Sequence, residues 1–338
     1  MSTWLAKRAL ANGGCLRFDH FMQLALYDPA EGYYTTRITA VGRTGDFSTS
    51  ATRSDLLARS IAGWAQAEAR TRRLDRPQLV ELGGGDGSLA RGILGRLPWW
   101  PRFGYHVVEI SPKLRALQRK RLGGRRVLWH TDVRTALAET NGEALLFSNE
   151  FVDAFPCRRF VRAGGAWQEL FLCYNDDDGT WHERWSKTEN LPDSSVLNAW
   201  VPPERQVVEV HESYRRWLQT AAEALRRGSL LTIDYGGHPG EIYHRRPAGT
   251  VRAYSHHQRL TGRDLYRNPG RQDLTADVNF EDLERWGAAS GLATVAYLTQ
   301  DEFVRTWGPP RPKAAPGNFP LADAVSVGAA FKVLHQRK

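Results

Sequence analysis

The sequence predicts an α/β fold, a mostly parallel seven-stranded sheet with helices on both faces. Seven apolar runs rich in β-branched residues recur along the chain: PQLVELG, YHVVEIS, RRVLWHT, EALLFSNE, GSLLTIDYG, ATVAYLTQ and GAAFKVLHQ. Stretches of helical spacing separate them, as parallel neighbours require, because a tight hairpin cannot join strands that run the same way. Near-continuous apolar runs also belong to strands covered on both faces.

Between the first two strands the sequence GGGDGSLARGIL turns from glycines to an Ala/Leu/Arg-rich helix. SPKLRALQRKRLGG follows the second strand as a crossover helix, and VEVHESYRRWLQTAAEALRRG precedes the fifth. Residues 1–75 form an N-terminal extension, and the core over 76–338 carries inserts at about 151–205 and 236–280. The first of these is polar and turn-rich, but Trp181 and Trp185 predict an ordered lobe rather than a linker. The five prolines of WGPPRPKAAPGNFP predict a surface loop before the last strand.

With 338 residues, 41% of them apolar, the chain can bury a sizeable core. Its net charge of +9 comes from 46 basic residues scattered along the sequence, apart from a short cluster at Arg70, Arg72, Arg73 and Arg76, so no nucleic-acid partner is expected. Cys15, Cys157 and Cys173 lie far apart without a C-x-x-C pair. They predict neither a disulfide nor a zinc site, but small buried residues of a reducing compartment. No apolar run approaches the roughly 18 residues that span a bilayer, and the first residues lack a secretory h-region. A soluble cytoplasmic protein without membrane insertion is expected.

The glycine loop carries the first chemistry. A strand ending in Glu81, then Gly83, Gly85 and Gly87, then a helix, sets bare backbone against a ligand at the carboxyl edge of the sheet. A dinucleotide fingerprint would need glycine where Ser88 stands. The acid-x-Gly-x-Gly-x-Gly form resembles instead motif I of class I S-adenosylmethionine-dependent methyltransferases. The second strand ends in Glu109, where a carboxylate can accept from both hydroxyls of a ribose. The third leads to Asp132, beside the place of an adenine amino group.

Further along, NEFVDAFPCRRF (149–160) joins YDPAEGYYTTRITAVGRTGDFSTS, GTVRAYSHHQ, PGRQDLTADVNFEDL and GAAFKVL in a pattern that resembles the MidA-like family. That family comprises bacterial proteins and the mitochondrial arginine methyltransferase that assists assembly of respiratory complex I. The resemblance implies a class I methyltransferase (Rossmann-like) core, S-adenosyl-L-methionine as cofactor and a cofactor lid in the N-terminal extension. Carried over by position, Gly45, Asp46, Phe47, Thr49 and Ser50 would close on the methionine end, beside Gly83 and Gly85. Ile110, Val133 and Asn149 complete the implied cofactor set with Glu81, Glu109 and Asp132. Where the family commonly continues with Pro-Glu, this chain has Ala51, Thr52 and Arg53, which bears on the choice of acceptor.

An arginine acceptor is a delocalised cation, so carboxylates must grip its fork and draw charge from the attacking nitrogen. Glu150 and Asp153 can face one cleft if the segment after the fourth strand turns into a helix, with Asn149 aimed at the same pocket. Asp153 has a second reading as a helix-terminal acid, and Asp234 reads equally as a proton acceptor or a brace for local backbone. His256 and His257 lack a third metal ligand at sensible spacing, and Asp273, Thr275 and Asp277 match the family without an evident role. The reading is protein arginine methylation, with a complex I subunit as the family-level acceptor. Two rivals share the residues: methylation of another nitrogen or oxygen nucleophile such as a small molecule, and a non-catalytic assembly chaperone binding through the Trp181/Trp185 lobe.

Overall fold

The computed structural model describes residues 4–11, 13–38, 55–100, 102–193, 195–255, 258–308 and 330–338. The N-terminal extension folds as α1 (Trp4–Ala11), β1 (Cys15–Arg17), α2 (Phe18–Tyr27), a π-helical turn at Tyr33–Arg37 and α3 (Asp55–Thr71). The core begins with β2 (Gln78–Leu82), α4 (Ser88–Leu94), β3 (Gly104–Val108), α5 (Pro112–Arg121), β4 (Val127–His130), α6 (Val133–Glu139) and β5 (Glu143–Asn149). Then come β6 (Arg158–Ala163), β7 (Ala166–Asn175), β8 (Thr180–Lys187), β9 (Val207–Val210), α7 (Glu212–Ala224) and β10 (Arg227–Gly237). The chain continues through α8 (Pro239–Ile242), β11 (Arg252–Ser255), β12 (Gln258–Leu260), β13 (Asp273–Thr275) and β14 (Val278–Asn279). It closes with α9 (Phe280–Ala289), β15 (Ala293–Thr299), α10 (Gln300–Trp307) and β16 (Phe331–Arg337).

The main sheet runs β15-β16-β10-β5-β2-β3-β4, with β14 added beside β10. It therefore has eight strands where the sequence predicts seven, because the two-residue β14 pairs parallel with the end of β10. Strands β4, β3, β2, β5 and β10 are parallel, and β16 inserts antiparallel between β10 and β15. Side-chain alternation explains the two covered faces. Leu79, Leu145, Phe147 and Leu231 pack with Ile61 and Trp64 of α3, while Val80, Leu146 and Leu230 pack with Tyr214 and Leu218 of α7 and Trp286 of α9. Trp64 and Trp286 are fully buried, one on each face, and truncating either to alanine would cost roughly 3–5 kcal/mol.

A second, antiparallel sheet has the order β1-β7-β6-β9, with β8 on β7. It joins the first insert to the N-terminal extension: Trp181 of β8 packs edge-on against Phe21 of α2, with ring centroids 5.2 Å apart. Cys15 and Cys173 stand opposite each other across β1 and β7 and form a disulfide. This corrects the expectation of reduced, unpaired cysteines; a separation of 158 residues hides the pairing from any spacing rule. Cys157 is free and buried. The second insert builds a small sheet, β12-β11-β13, against the same extension. Most of the proline-rich segment, from residue 309 on, lies outside the described residues.

Candidate active site at the carboxyl edge of the sheet

The carboxyl ends of β2, β3 and β5 open onto a cavity of about 840 Å³, inside the range of about 300–1,000 Å³ common for small-molecule sites. One wall is the glycine loop, where Gly83, Gly85 and Gly87 hold φ of 70°, 50° and 79°, the left-handed region that favours glycine. A Cβ at Gly83 would come within 2.8 Å of the Phe151 ring. At Gly85 it would meet no protein atom within 4 Å, and Gly85 lines the cavity. The first glycine serves loop packing; the second leaves backbone exposed to whatever fills the space.

Glu81 and Glu109 are both buried on this wall. Glu81 accepts from the Tyr105 hydroxyl at 2.8 Å, and burial pushes its carboxyl up to about 8. Glu109 accepts from the Ser111 backbone N–H at 2.9 Å and from the Gln118 amide at 3.3 Å, and burial raises it to about 7. Gln118 also donates to the Gly85 carbonyl at 2.9 Å and accepts from Trp129 at 3.0 Å, so one side chain ties the glycine loop to the acid. Sequence reasoning missed it, although a neutral amide within the charged helix KLRALQRKR was the available signal. Asp132 lines the cavity as the N-cap of α6, accepting from the Thr135 N–H at 2.9 Å; that bond holds its carboxyl below the ordinary value. Ile110 lines the cavity half-exposed. Val133 does not: the first residue of α6 turns its side chain into the core.

Asn149, Glu150 and Asp153 all line the cavity, but no helix places them. After Asn149 the chain turns at Glu150, whose φ of 52° is uncommon for a residue with a side chain. Asp234, beside this turn on β10, accepts from the backbone N–H groups of Phe151 (3.1 Å), Val152 (2.9 Å) and Asp153 (3.4 Å). A buried carboxylate thus takes the N–H groups, and the loop wraps around it. Burial and the charges of Asp153 and Glu150 push Asp234 upward, against those bonds. The helix-terminal reading of Asp153 is corrected accordingly; its carboxylate receives the Tyr235 hydroxyl, and burial raises it to about 6. The Asn149 amide donates to Glu150 at 3.2 Å, while its buried Oδ1 has no hydrogen-bond partner.

The remaining wall comes from segments distant in sequence. Tyr27 and Tyr34 stack with centroids 5.6 Å apart, and Tyr34 donates to Asp273 of β13 at 2.9 Å. Tyr27 donates to the Ala154 carbonyl at 2.9 Å. Asp273, Thr275, Tyr235 and Tyr254 line the same space, and the Thr275 hydroxyl is buried without a partner. Arg252 lies over the Tyr235 ring, 4.4 Å from its centroid, and pairs with Asp277 at 2.5 Å. The roles of Asp273, Thr275, Tyr27 and Tyr34 were beyond sequence reasoning. Gly45, Asp46, Phe47, Thr49, Ser50, Ala51, Thr52, Arg53, His256 and His257 lie outside the described residues.

Residues 56–298 match the family model described as "Putative S-adenosyl-L-methionine-dependent methyltransferase". The chain is 30% identical over 299 residues to the mitochondrial protein arginine methyltransferase NDUFAF7 homolog of Drosophila melanogaster, covering 79% of this chain and 65% of that protein. It is 30% identical over 331 residues to NDUFAF7 of Xenopus tropicalis, covering 87% and 72%. It thus spans about two thirds of the fly relative's length and somewhat more of the frog's. A Burkholderia thailandensis structure bound to S-adenosyl-homocysteine superposes with a TM-score of 0.84 at 26% identity, covering 99% of this chain and 90% of that one. The curated relatives are mitochondrial proteins, which overturns the cytoplasmic expectation. The match extends over most of the chain, glycine loop and strand-end acids included, and the chain belongs to the MidA-like family of S-adenosyl-L-methionine-dependent methyltransferases.

Proposed function

We propose that this protein methylates an arginine of a protein acceptor. The observation that carries the reading is a cavity lined by Glu150, Asp153 and Asp273 together with the rings of Tyr27, Tyr34 and Tyr254. Acids and aromatic faces together suit a planar cation. The naming of the curated relatives as protein arginine methyltransferases supports it. The family resemblance favours a complex I subunit as that acceptor.

The residues present fit S-adenosyl-L-methionine on two structural grounds: Gly85 leaves open space at the cavity wall, and the buried Asn149 Oδ1 lacks a partner there. Gly83, Gly85, Glu81 and Asn149 would hold its amino-acid end, Glu109 its ribose, and Asp132 with Ile110 its adenine. When bound, the cofactor supplies an electrophilic methyl group. The first part of the extension, up to residue 38, closes one side of the cavity, a reading supported by Tyr27 and Tyr34 on its wall, whereas α3 is no lid but packs on the sheet through Ile61 and Trp64. Glu150 grips the guanidinium and aims one nitrogen. A guanidinium cation that gains a methyl group must release one proton, and Asp153, raised to about 6 by burial, is suited to take it.

The test uses an extract from cells lacking this protein, incubated with the purified enzyme and methyl-labelled cofactor. Mass spectrometry should find new methylarginine on one or a few proteins. Label confined to small molecules, or to residues other than arginine, would show the reading to be wrong.

A further inference from the structure

At the opposite, amino edge of the sheet the loop LPWWPRFG (97–104) holds Trp99 and Trp100 at 89% and 72% exposure. Two adjacent exposed indoles rimmed by polar residues make an apolar patch of the kind that marks an interaction site. Trp100 and Phe103 line a pocket of about 240 Å³ with Arg70 of α3 and with Arg73 and Leu74 just beyond its end.

Topology gathers here arginines that the sequence scatters. Gly104 donates to the Pro77 carbonyl at 3.0 Å, which sets Arg102 and Arg76 side by side ahead of β3 and β2. Pairing of Tyr105 with Val127 brings Arg125 and Arg126 next in line, both exposed. On the other flank Arg227 donates to the Arg72 carbonyl, and Lys338 at the end of β16 exchanges backbone bonds with Gly228. The like charge of Arg227 adds to burial in lowering the Arg72 pKa. Asp75, Glu143 and the buried Glu68 are acids interspersed along this edge: Glu143 lies 3.9 Å from Arg227, and Glu68 pairs with Arg337 and acts against the lowering of the Arg72 pKa.

Exposed indoles beside a dense positive charge match one environment well: the headgroup layer of a bilayer, where tryptophan lies with its ring in apolar surroundings and its N–H in polar ones, and arginine meets phosphate. Nucleic-acid stacking platforms are sheet faces or grooves, whereas these rings stand on a loop at the sheet's end. We propose that the amino edge seats the protein peripherally on an anionic phospholipid bilayer, with Trp99 and Trp100 in the headgroup layer and the surrounding arginines against lipid phosphates. Among the described residues no helix is long and apolar enough to cross a membrane, so surface attachment is the mode that fits. The cavity, at the other end of the same strands, then opens toward the aqueous phase. The proposal is independent of which acceptor is methylated.

The experiment is co-sedimentation of the full chain with phosphatidylcholine vesicles, with and without phosphatidylglycerol, at rising salt. Retention should require the anionic lipid, fall with salt, drop roughly ten-fold in the Trp99→Ala/Trp100→Ala protein, and drop about five-fold for each of Arg70→Gln and Arg73→Gln. Unchanged cofactor affinity by calorimetry would show that the variants are folded. Absence of retention, equal retention on both vesicles, or retention unaffected by the tryptophan changes would overturn the proposal. So would binding of a single-stranded RNA that these variants lose while vesicle binding persists.

Discussion

The two edges of the main sheet gather opposite kinds of ionisable group, acids at one and arginines at the other, and hold them in opposite ways. At the carboxyl edge Glu81, Glu109, Asp153 and Asp234 are buried, and each is fixed by a hydrogen bond from a tyrosine, an amide or the backbone. At the amino edge Arg76, Arg102, Arg125 and Arg126 are exposed, ahead of strands that would fold the same way without them. A charge that works inside a cavity must be positioned and so acquires a supporting shell, whereas one that faces solvent acts through density alone. Substitutions at the two edges should therefore differ in kind.

The largest effect is expected at Glu150. Its replacement by Gln keeps shape but removes the charge opposite a desolvated guanidinium, on the order of 3–5 kcal/mol, or roughly 10²–10⁴-fold in kcat/KM. Calorimetry should find cofactor affinity unchanged; wild-type transfer rates would rule out the carboxylate grip. Asp234→Ala comes next, because it strands the N–H groups of Phe151, Val152 and Asp153. Denaturant unfolding should show a loss of roughly 3 kcal/mol, and a much smaller loss would mean that the loop is held by other contacts.

Glu109→Ala should weaken cofactor binding by about 1.5–3 kcal/mol. Its carboxyl, raised to about 7, must be ionised to accept from two hydroxyls, so wild-type affinity should fall as pH drops through that value and the variant should lose the dependence. A pH-independent wild-type titration would break the ribose assignment. Without cofactor the sign reverses. Glu81 (about 8) and Glu109 (about 7) bind protons more tightly folded than unfolded, where the value is 4.5, so their contribution to stability is full below about 4.5 and declines as pH rises toward 8. Thermal melts of the ligand-free protein across that window test it, and Glu81→Gln should flatten the slope. The smallest effect belongs to the amino edge: Arg76→Gln or Arg102→Gln should change stability by no more than about 0.5 kcal/mol.

Strand-end acids were legible because a strand, its end and the residue there form a one-dimensional pattern. Glu81, Glu109, Asp132 and Glu150 were thus assigned to the cavity edge from sequence, and all four line the cavity. The side chain of Val133, next to Asp132, turns into the core, as the residue after an N-cap does, so only its backbone faces the cavity side. The helix expected after Asn149 failed for a three-dimensional reason: Asp234, 83 residues from Phe151, captures the N–H groups. Tyr34 and Asp273 meet across 239 residues, and no spacing rule reaches that far. The same holds for the basic edge, where arginines scattered in sequence become neighbours only once the strands are in register.

The Cys15–Cys173 bond gives the chain a closed ring and a tail. Glu81, Gly85, Glu109, Asn149, Glu150 and Asp153 all lie on the ring, whereas Asp234, Arg252 and Asp273 lie on the tail that braces it. A protease that cuts any single bond between residues 15 and 173 leaves both pieces joined by sulfur, so the oxidised protein keeps its covalent mass after a nick. On a gel the damage would stay invisible until a reductant was added.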